Sequence, residues 1–451
     1  MSEDFNRRDF LKTTAAAGIG LSIGASGLSG CAAQLKSVPV PFTVPPIDTV
    51  RMGFVGLGHQ GSNHVRNFMN IEGVKIAALC DIVPQKIDTT QERLVEAGHP
   101  KPTGYSNGHE DFRRMIDEED LDLVFTATPW KWHAPICVAA MENGKHAATE
   151  IPMAITLDEC WQLVEVSERT NRHCVAMENC CYDRTELMIL NMVRKGLLGE
   201  LLHAECGYLH DLRGLKLSPT FYEEEWRIKH SIARDADLYP THGLGPITQC
   251  MNINRGNQFD FLVSMSCSTR GLNLYAAGKF GDDHPKAVQE YALGDVVNTL
   301  IQTKLGQTIL ITHDTNTPRP YSRKVLVQGT KGLVRKYPEQ KIYIEGVSSR
   351  PDQWEDLADY YEEWEHPLWS SMRERSRGAG HGGMDYIEDF RLIQCLREGK
   401  PTDMDVYDGA SWSAVIDLSE RSIAGRSRSM EFPDFTRGAW QDREPLGIIE
   451  G

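Results

Sequence analysis

The feature that most constrains this chain is a glycine-spaced turn between a strand and a helix. Arg51-Met52-Gly53-Phe54-Val55-Gly56 is a short apolar strand, and Gly56-Leu57-Gly58-His59-Gln60-Gly61 follows it at once. Asp81 lies twenty residues beyond Gly61, at the end of the next apolar run over 74–80. Glycines at these positions let the backbone approach a pyrophosphate, and the N-terminus of the following helix turns partial positive charge toward it. The acid closing the second strand is placed to accept hydrogen bonds from ribose hydroxyls, and its charge disfavours a 2′-phosphate. These residues therefore read as a site for NAD rather than NADP, with Gly56, Gly58, His59, Gln60, Gly61 and Asp81 in contact.

The pattern that follows alternates. Helices are expected over 62–69, 84–97, 135–143 and 157–170, and strands over 74–80, 121–126, 146–149 and 173–177. Strands alternating with helices specify a parallel, doubly wound sheet of the Rossmann kind, assigned here to residues 49–180. In such sheets ligands bind in the crevice outside the strand ends. That puts Thr126-Ala127-Thr128-Pro129, the loop Trp130-Lys131-Trp132-His133 and the turn Glu150-Ile151-Pro152 on the cofactor's edge.

After residue 180 the rhythm changes. A helix is expected over 186–195 and a strand over 201–209, followed by an irregular, aromatic-rich stretch over 211–237. Further strands are expected over 261–266, 296–303, 308–313, 324–328 and 341–345. They predict an α+β domain over 181–451 with a large, mostly antiparallel open sheet that could cover the mouth of the first domain. Helices over 386–398 and 408–422 should pack back on that first domain. A length of 451 residues independently calls for two domains.

Ahead of the fold, Asn6-Arg7-Arg8-Asp9-Phe10-Leu11-Lys12 precedes a weak apolar run interrupted by Gly18, Gly20 and Gly24, and then Leu28-Ser29-Gly30-Cys31. The first segment resembles a twin-arginine export signal, and the last resembles a bacterial lipobox with Cys31 as the lipid-bearing residue. The apolar run is shorter than the ~20 residues of a membrane span. Residues 1–31 read as the leader and 32–48 as a tether. Either a lipid-anchored or a simply cleaved, periplasmic product satisfies this reading, with no membrane contact beyond the acyl chain. Nicotinamide cofactors are recycled in the cytoplasm, so an exported cofactor fold favours chemistry that restores its cofactor each turnover. The formal charge is −15, and the leader's three basic and three acidic residues cancel, so the mature chain is acidic. That argues against a nucleic-acid partner. The cysteines after Cys31 are scattered through apolar runs without metal-type spacing, so buried free thiols and no metal are expected.

Residues 50–199 resemble the glucose–fructose oxidoreductase / inositol dehydrogenase / MocA superfamily. That superfamily pairs a Rossmann domain with an α/β domain whose open sheet forms the substrate site. Its open sheets commonly pair face to face, which implies a homo-oligomer. It carries Glu-Lys-Pro where this chain has Glu150-Ile151-Pro152. Trp130-Lys131-Trp132-His133, Met177-Glu178-Asn179, Cys206-Gly207-Tyr208, Glu223-Glu224-Glu225-Trp226-Arg227 and Tyr239-Pro240-Thr241-His242-Gly243-Leu244-Gly245-Pro246 complete a closer match. Together with Glu150-Ile151-Pro152 they resemble glycoside hydrolase family 109, NAD-containing α-N-acetylgalactosaminidases. The resemblance implies that Gln60, Asp81, Trp130, Lys131, Trp132, His133, Glu150, Ile151 and Asn179 contact a tightly held NAD. It implies that Tyr208, Arg227, Tyr239, Pro240, Thr241, His242 and Tyr321 line a sugar pocket. It also implies a route of transient oxidation at carbon 3, loss of the carbon-2 proton, elimination of the group on carbon 1, water addition and re-reduction. The net result is hydrolysis of a small-molecule or glycan substrate.

Such a route needs a base that works near neutral pH, and histidine is the usual one. His242 is the candidate. Gly243 and Gly245 leave space beside it, and a helix expected to begin near Pro246 would lower its pKa. Tyr208 or Tyr239 could relay the carbon-3 proton or stabilise an enolate. Glu178 and Tyr182, flanking Asn179, are further candidates to assist. Arg227 could hold a hydroxyl or an acetamido carbonyl. Two other readings stay open: an exported NAD-dependent sugar oxidoreductase, which a lysine at position 151 would have favoured, and a non-catalytic sugar-binding lipoprotein. Either hexosamine epimer and either anomer is compatible with these residues.

Overall fold

The structure, a computed structural model, describes residues 43–446 and 448. The twin-arginine segment, Cys31 and the tether up to residue 42 lie outside the described residues. From Val44 the chain is docked. Val44 is buried, and the Ile47 N–H donates to the Leu396 carbonyl at 3.2 Å.

The first sheet contains β1 (Val50–Val55), β2 (Val74–Cys80), β3 (Thr103–Tyr105), β4 (Leu123–Thr126), β5 (His146–Glu150) and β6 (Cys174–Met177), in the order β3-β2-β1-β4-β5-β6. Every adjacent pair is parallel. This is the doubly wound order of a Rossmann fold, with its crevice where β1 meets β4. The central strand β4 and the edge strand β6 are buried along their whole length, which is why they read as unbroken apolar runs. The short edge strand β3 was not expected. Two of its three residues, Thr103 and Gly104, are exposed, so it leaves no apolar signal. The helix Asp111–Glu118 was missed as well: its eight residues carry only one i, i+3, i+4 set of buried apolar side chains, Phe112, Met115 and Ile116, too short a window for periodicity to be read.

The second sheet has nine strands: β7 (Leu201–Leu209), β8 (Phe259–Ser266), β9 (Val297–Thr303), β10 (Thr308–Asp314), β11 (Leu326–Gly329), β12 (Gly332–Arg335), β13 (Lys341–Ile344), β14 (Glu355–Asp356) and β15 (Met430–Glu431). Their order is β14-β13-β12-β11-β7-β10-β9-β8-β15. It is antiparallel except where β7 meets β10. The expected mixture of a parallel N-terminal sheet and a mostly antiparallel C-terminal one is present.

Two late helices join the sheets. The helix Val406–Ala424 starts from a capping box between Asp405 and Asp408 and is buried along most of its length. It takes polar bonds from both sides. The Asp417 carboxylate accepts from the Leu157 N–H at 3.0 Å, Ser419 Oγ from the Asp237 N–H at 2.9 Å, and Ser422 Oγ from the Ser264 N–H at 2.9 Å. Buried N–H groups need such acceptors, so the serines of this helix are fasteners rather than breaks in its apolar face. The helix Met384–Glu398 lies against His59–Phe68, with the buried Asp389 accepting from Asn67 at 2.9 Å. Among the described residues no helix is long and apolar enough to cross a membrane. The cysteines described are free, and all but Cys267 are buried.

Candidate active site

A cleft of about 660 Å³ opens between the strand ends of the first sheet and the segment following β7. Its floor is the glycine turn. Gly56 has φ +91°, open to glycine at little cost. A Cβ on Gly61 would run into the Gly56 carbonyl, so only glycine lets the helix His59–Phe68 start this close to β1. Gly58 has open space where a Cβ would stand, and it faces the cleft. Asp81, nearly buried at the end of β2, accepts from the N–H groups of Leu57 at 2.7 Å and Val83 at 2.8 Å. Burial nevertheless leaves its pKa above the ordinary aspartate value.

Aromatic rings form the opposite wall. Trp130 stacks on Tyr239 at 5.6 Å and meets Trp226 edge-on at 5.2 Å. Arg227 is enclosed among them, its guanidinium carbon 5.1 Å from both the Trp130 and Tyr239 ring centres. It donates to the Tyr222 hydroxyl at 3.0 Å. No carboxylate among the described residues forms an ion pair with it. A cation held by ring faces keeps its outer N–H groups for a ligand's oxygen. Lys86 pairs with Glu223 across the cleft and Lys286 pairs with Glu225, so the acidic run before Trp226 is anchored from two sides.

Between floor and wall stands His242. Its Nδ1 lies 2.8 Å from Glu178 Oε1, and Glu178 is fully buried. Burial pushes the carboxyl upward, but His242, the Cys180 N–H and Thr241 outweigh it and leave Glu178 below its ordinary value. An ionised carboxylate only accepts, so Nδ1 carries the hydrogen and Nε2 is the ring's other, basic nitrogen. Tyr239 and Tyr208 stand edge-on to the imidazole at 5.0 and 5.3 Å. Burial raises the Tyr208 phenol to about 12 and Tyr239 well above its ordinary value, so both serve as neutral donors. Tyr208 Oη is 3.0 Å from His210 Nδ1.

The position of His242 has a specific cause. The helix begins at Thr241, not near Pro246 as expected, and Pro246 lies inside it. His242 is therefore in the first turn, facing a carboxylate, rather than ahead of the helix. A Cβ on Gly243 would collide with the Gly207 N–H group and approach Cys206 Cβ to 2.9 Å. That glycine lets the helix lie directly on β7 and brings His242 beside Tyr208.

Most residues singled out in the sequence meet in this cleft: Gly56, Gly58, His59, Gln60, Asp81, Trp130 to His133, Glu150, Ile151, Asn179, Tyr208, Arg227, Tyr239 and His242. Gly61 supports it from behind. Pro240 and Thr241 are buried behind the wall, outside the cleft lining. Tyr321 stands at the rim, 39% exposed, its ring 5.1 Å from His210. Tyr182 does not assist His242: it is buried, and its hydroxyl donates to Asp403 at 3.0 Å. Trp132 stacks on His109 at 5.7 Å, and both rings line the cleft. Both ring nitrogens of His133 are 2.8 Å from backbone carbonyls, of Pro152 and Thr128, so His133 ties two loops together.

Other residues escaped the sequence reading. Below Glu150, the fully buried His64 sits between Glu150 at 2.8 Å and Asp389 at 2.8 Å. Burial opposes its charge, but the two carboxylates hold its pKa well above the ordinary value. Asn179 donates to the buried Asp385 at 2.7 Å. Only the spacing of His64 one helical turn after Gln60 could have drawn attention to it. Nothing local links His64 or Asn179 to a helix 325 and 206 positions later.

The matches to known proteins agree with this construction. Residues 50–178 match the family model for the oxidoreductase family, NAD-binding Rossmann fold, and residues 182–442 match that for glycosyl hydrolase 109, C-terminal domain. A glycosyl hydrolase family 109 protein of Shewanella pealeana is 46% identical over 451 residues, spanning 98% of this chain and 99% of the relative. The chain belongs to glycosyl hydrolase family 109. It is a glycoside hydrolase built on an NAD-binding Rossmann fold. An α-N-acetylgalactosaminidase of Shewanella oneidensis is 44% identical, with 99% of each chain covered. Among solved structures, an NAD-binding oxidoreductase from Klebsiella pneumoniae shares the fold at TM-score 0.68 and 16% identity, covering 86% of this chain and 100% of that one. A scyllo-inositol dehydrogenase from Lactobacillus casei with bound NAD(H) and scyllo-inositol does so at 0.60 and 16%, covering 85% and 99%.

Proposed function

We propose that this glycoside hydrolase removes terminal α-N-acetylgalactosamine, or a closely related hexosaminide, with a resident NAD as its cofactor. The residues present fit the dinucleotide. The space beside Gly58 admits a pyrophosphate against the N-terminus of the helix His59–Phe68, and Asp81 stands at the end of β2 to accept ribose hydroxyls. When bound, the cofactor supplies reversible two-electron oxidation at carbon 3 of the sugar, which acidifies the proton on carbon 2.

The observation that carries the reading is the Glu178–His242 pair opening on the same cleft as the glycine turn. Glu178 fixes the ring by taking Nδ1–H, and Nε2 removes the carbon-2 proton. Tyr208 and Tyr239, as neutral phenols, donate to the oxygen on carbon 3 as charge builds there. Elimination of the group on carbon 1 and addition of water then complete a hydrolysis. Arg227 offers its N–H groups to a neutral carbonyl such as an acetamido oxygen. Ile151 is buried and offers no amine for ordinary dehydrogenase chemistry.

The test is to purify the protein without added cofactor and supply nitrophenyl α-N-acetylgalactosaminide in deuterated water. Release of nitrophenol, deuterium on carbon 2 and no accumulating NADH are expected. Stoichiometric NADH without nitrophenol would mark an oxidoreductase instead. On the sequence of its leader, we further propose that the protein acts outside the cytoplasm, anchored through Cys31, and, on the open second sheet of the superfamily it resembles, that it forms a homo-oligomer. Mass spectrometry for a diacylglyceryl adduct on that cysteine checks the anchor.

A further inference from the structure

The dinucleotide site is incomplete if drawn from the first domain alone. Gly380-His381-Gly382-Gly383 precedes the helix Met384–Glu398, and three successive residues of it have left-handed backbone: His381 at φ 48°, Gly382 at 76° and Gly383 at 104°. For a side-chain-bearing residue this conformation is costly and persists only where its surroundings impose it. Here Asp385 imposes it. Its fully buried carboxylate lies 2.8 Å from His381 Nδ1. A Cβ on Gly380 would come within 2.5 Å of the same carboxylate oxygen, so the glycine before His381 is required for this contact.

Asp385 also joins His381 to the cofactor side of the cleft. Its Oδ1 accepts from Asn179 at 2.7 Å, and its Oδ2 accepts from Gln60 Nε2 at 3.4 Å as well as from His381. Gln60 is the second residue of the helix whose N-terminus opens beside Gly58. The His381 ring thus stands one carboxylate away from the point where a helix N-terminus receives phosphate. Because Asp385 accepts from Nδ1–H, the free nitrogen is Nε2, on a half-exposed ring lining the cleft. Of the other cations lining the cleft, Lys86 is paired with Glu223, and Arg227 lies within the ring wall on the opposite side.

We infer that His381 binds the pyrophosphate of the dinucleotide through Nε2–H, so that the C-terminal domain closes the cofactor's side of the cleft. The inference rests on the dinucleotide reading above and not on the glycosidase chemistry. The Asp385 hydrogen bond raises the imidazole pKa and so favours the charged, doubly donating form. Asp385 and Asn179 are positioning residues for it. Asn179, which the sequence reading took as a cofactor contact, acts at least partly by fixing Asp385.

The experiment measures release of labelled NAD from the loaded, full-length protein by rapid gel filtration. It compares wild type with His381→Ala, His381→Gln and His381→Lys. Losing a charge-assisted bond predicts release about ten- to a hundredfold faster in the Ala and Gln variants, with Lys nearer to wild type. The defect should extend to ADP-ribose, which keeps the pyrophosphate, and be absent for adenosine, which lacks it. Release within twofold of wild type in the Ala and Gln variants overturns the inference. So does an equal loss for ADP-ribose and adenosine, or an equal loss in Gln and Lys. Melting of the dinucleotide-free Gln variant at the wild-type temperature excludes a folding defect. If the wild-type protein binds NAD but cleaves no N-acetylgalactosaminide, the proposed function fails while release rates still decide this point. If it binds no dinucleotide at all, both fail.

Discussion

On the side of the first sheet the cleft is backbone: Gly56, Gly58 and Gly61 bring main chain to the ligand, and Asp81 is held by two main-chain N–H groups. On the side of the second sheet it is rings: Trp226, Tyr239, Tyr208 and Tyr222 around a caged arginine, met by Trp130 from the turn that follows β4. The first surface suits a charged, sequence-invariant phosphate chain, which main-chain N–H groups recognise with little freedom to vary. The second suits a sugar, with apolar faces for stacking and scattered hydroxyls for hydrogen bonds. His242 stands at the seam, with its Glu178 partner at the end of the first sheet and its own helix seated on β7. The division assigns cofactor retention to one surface and substrate choice to the other, and each can be disturbed separately.

The seam should be the most sensitive. His242→Ala is expected to lower kcat by about 10²–10⁴-fold while the purified protein keeps its dinucleotide. Wild-type turnover in that variant would remove the histidine from its role, and loss of the dinucleotide would dissolve the division between surfaces.

Behind the ring wall, Asp237 is fully buried with one oxygen unpartnered, and burial pushes its pKa up to about 7. An unfolded aspartate titrates near about 3.9. Between roughly pH 4 and 7 the folded protein therefore keeps a proton that the unfolded chain has released. Stability from this group falls by about 4 kcal/mol as pH rises through that window and is constant above it. Asp237→Asn should remove that fall, so its stability relative to wild type should rise from pH 4 to pH 8 in denaturant titrations. Parallel curves would show that the wall does not depend on a protonated carboxyl.

On the backbone surface, Gly61→Ala forces a Cβ into the Gly56 carbonyl, and a shift of main chain costs about 2–3 kcal/mol. Weaker dinucleotide binding is expected by equilibrium dialysis, with the aromatic fluorescence of the other wall unchanged. Unaltered affinity would show that the turn has room to adjust.

The mildest change is Arg227→Lys, which keeps the charge but loses the flat guanidinium among the rings. A cost of about 1–2 kcal/mol, read as a roughly tenfold rise in KM with kcat and bound dinucleotide preserved, is expected. A fall in kcat instead would move Arg227 from holding the sugar to stabilising its transition state.

The first surface was largely legible in the sequence because its signals are local. A strand, a glycine turn, a helix and an acid closing the next strand fall within about thirty residues, and their spacing follows from main-chain sterics. The second surface was legible mainly through a family's motifs. Trp130 and Arg227 are nearly a hundred positions apart, and no periodicity joins them. Where a local signal was misread, the reason is physical. Pro246 looked like a first-turn residue, yet the helix starts at Thr241 because Gly243 lets it settle on β7. Tyr182 looked like a partner for His242 by its place in the chain, but a 3₁₀ turn over Asn179–Tyr182 carries its side chain to Asp403.

What the sequence determined alone was the pair of sheets, the glycine cradle and the kinds of residue available for chemistry, since these depend on backbone freedom and on apolar spacing along neighbouring residues. Tertiary structure decided which carboxylate faces which imidazole. Glu178 meets His242 across 64 positions, and His64 meets Asp389 across 325. Such pairings depend on how whole helices seat on a sheet, and a buried carboxylate takes whichever donor that packing brings within reach.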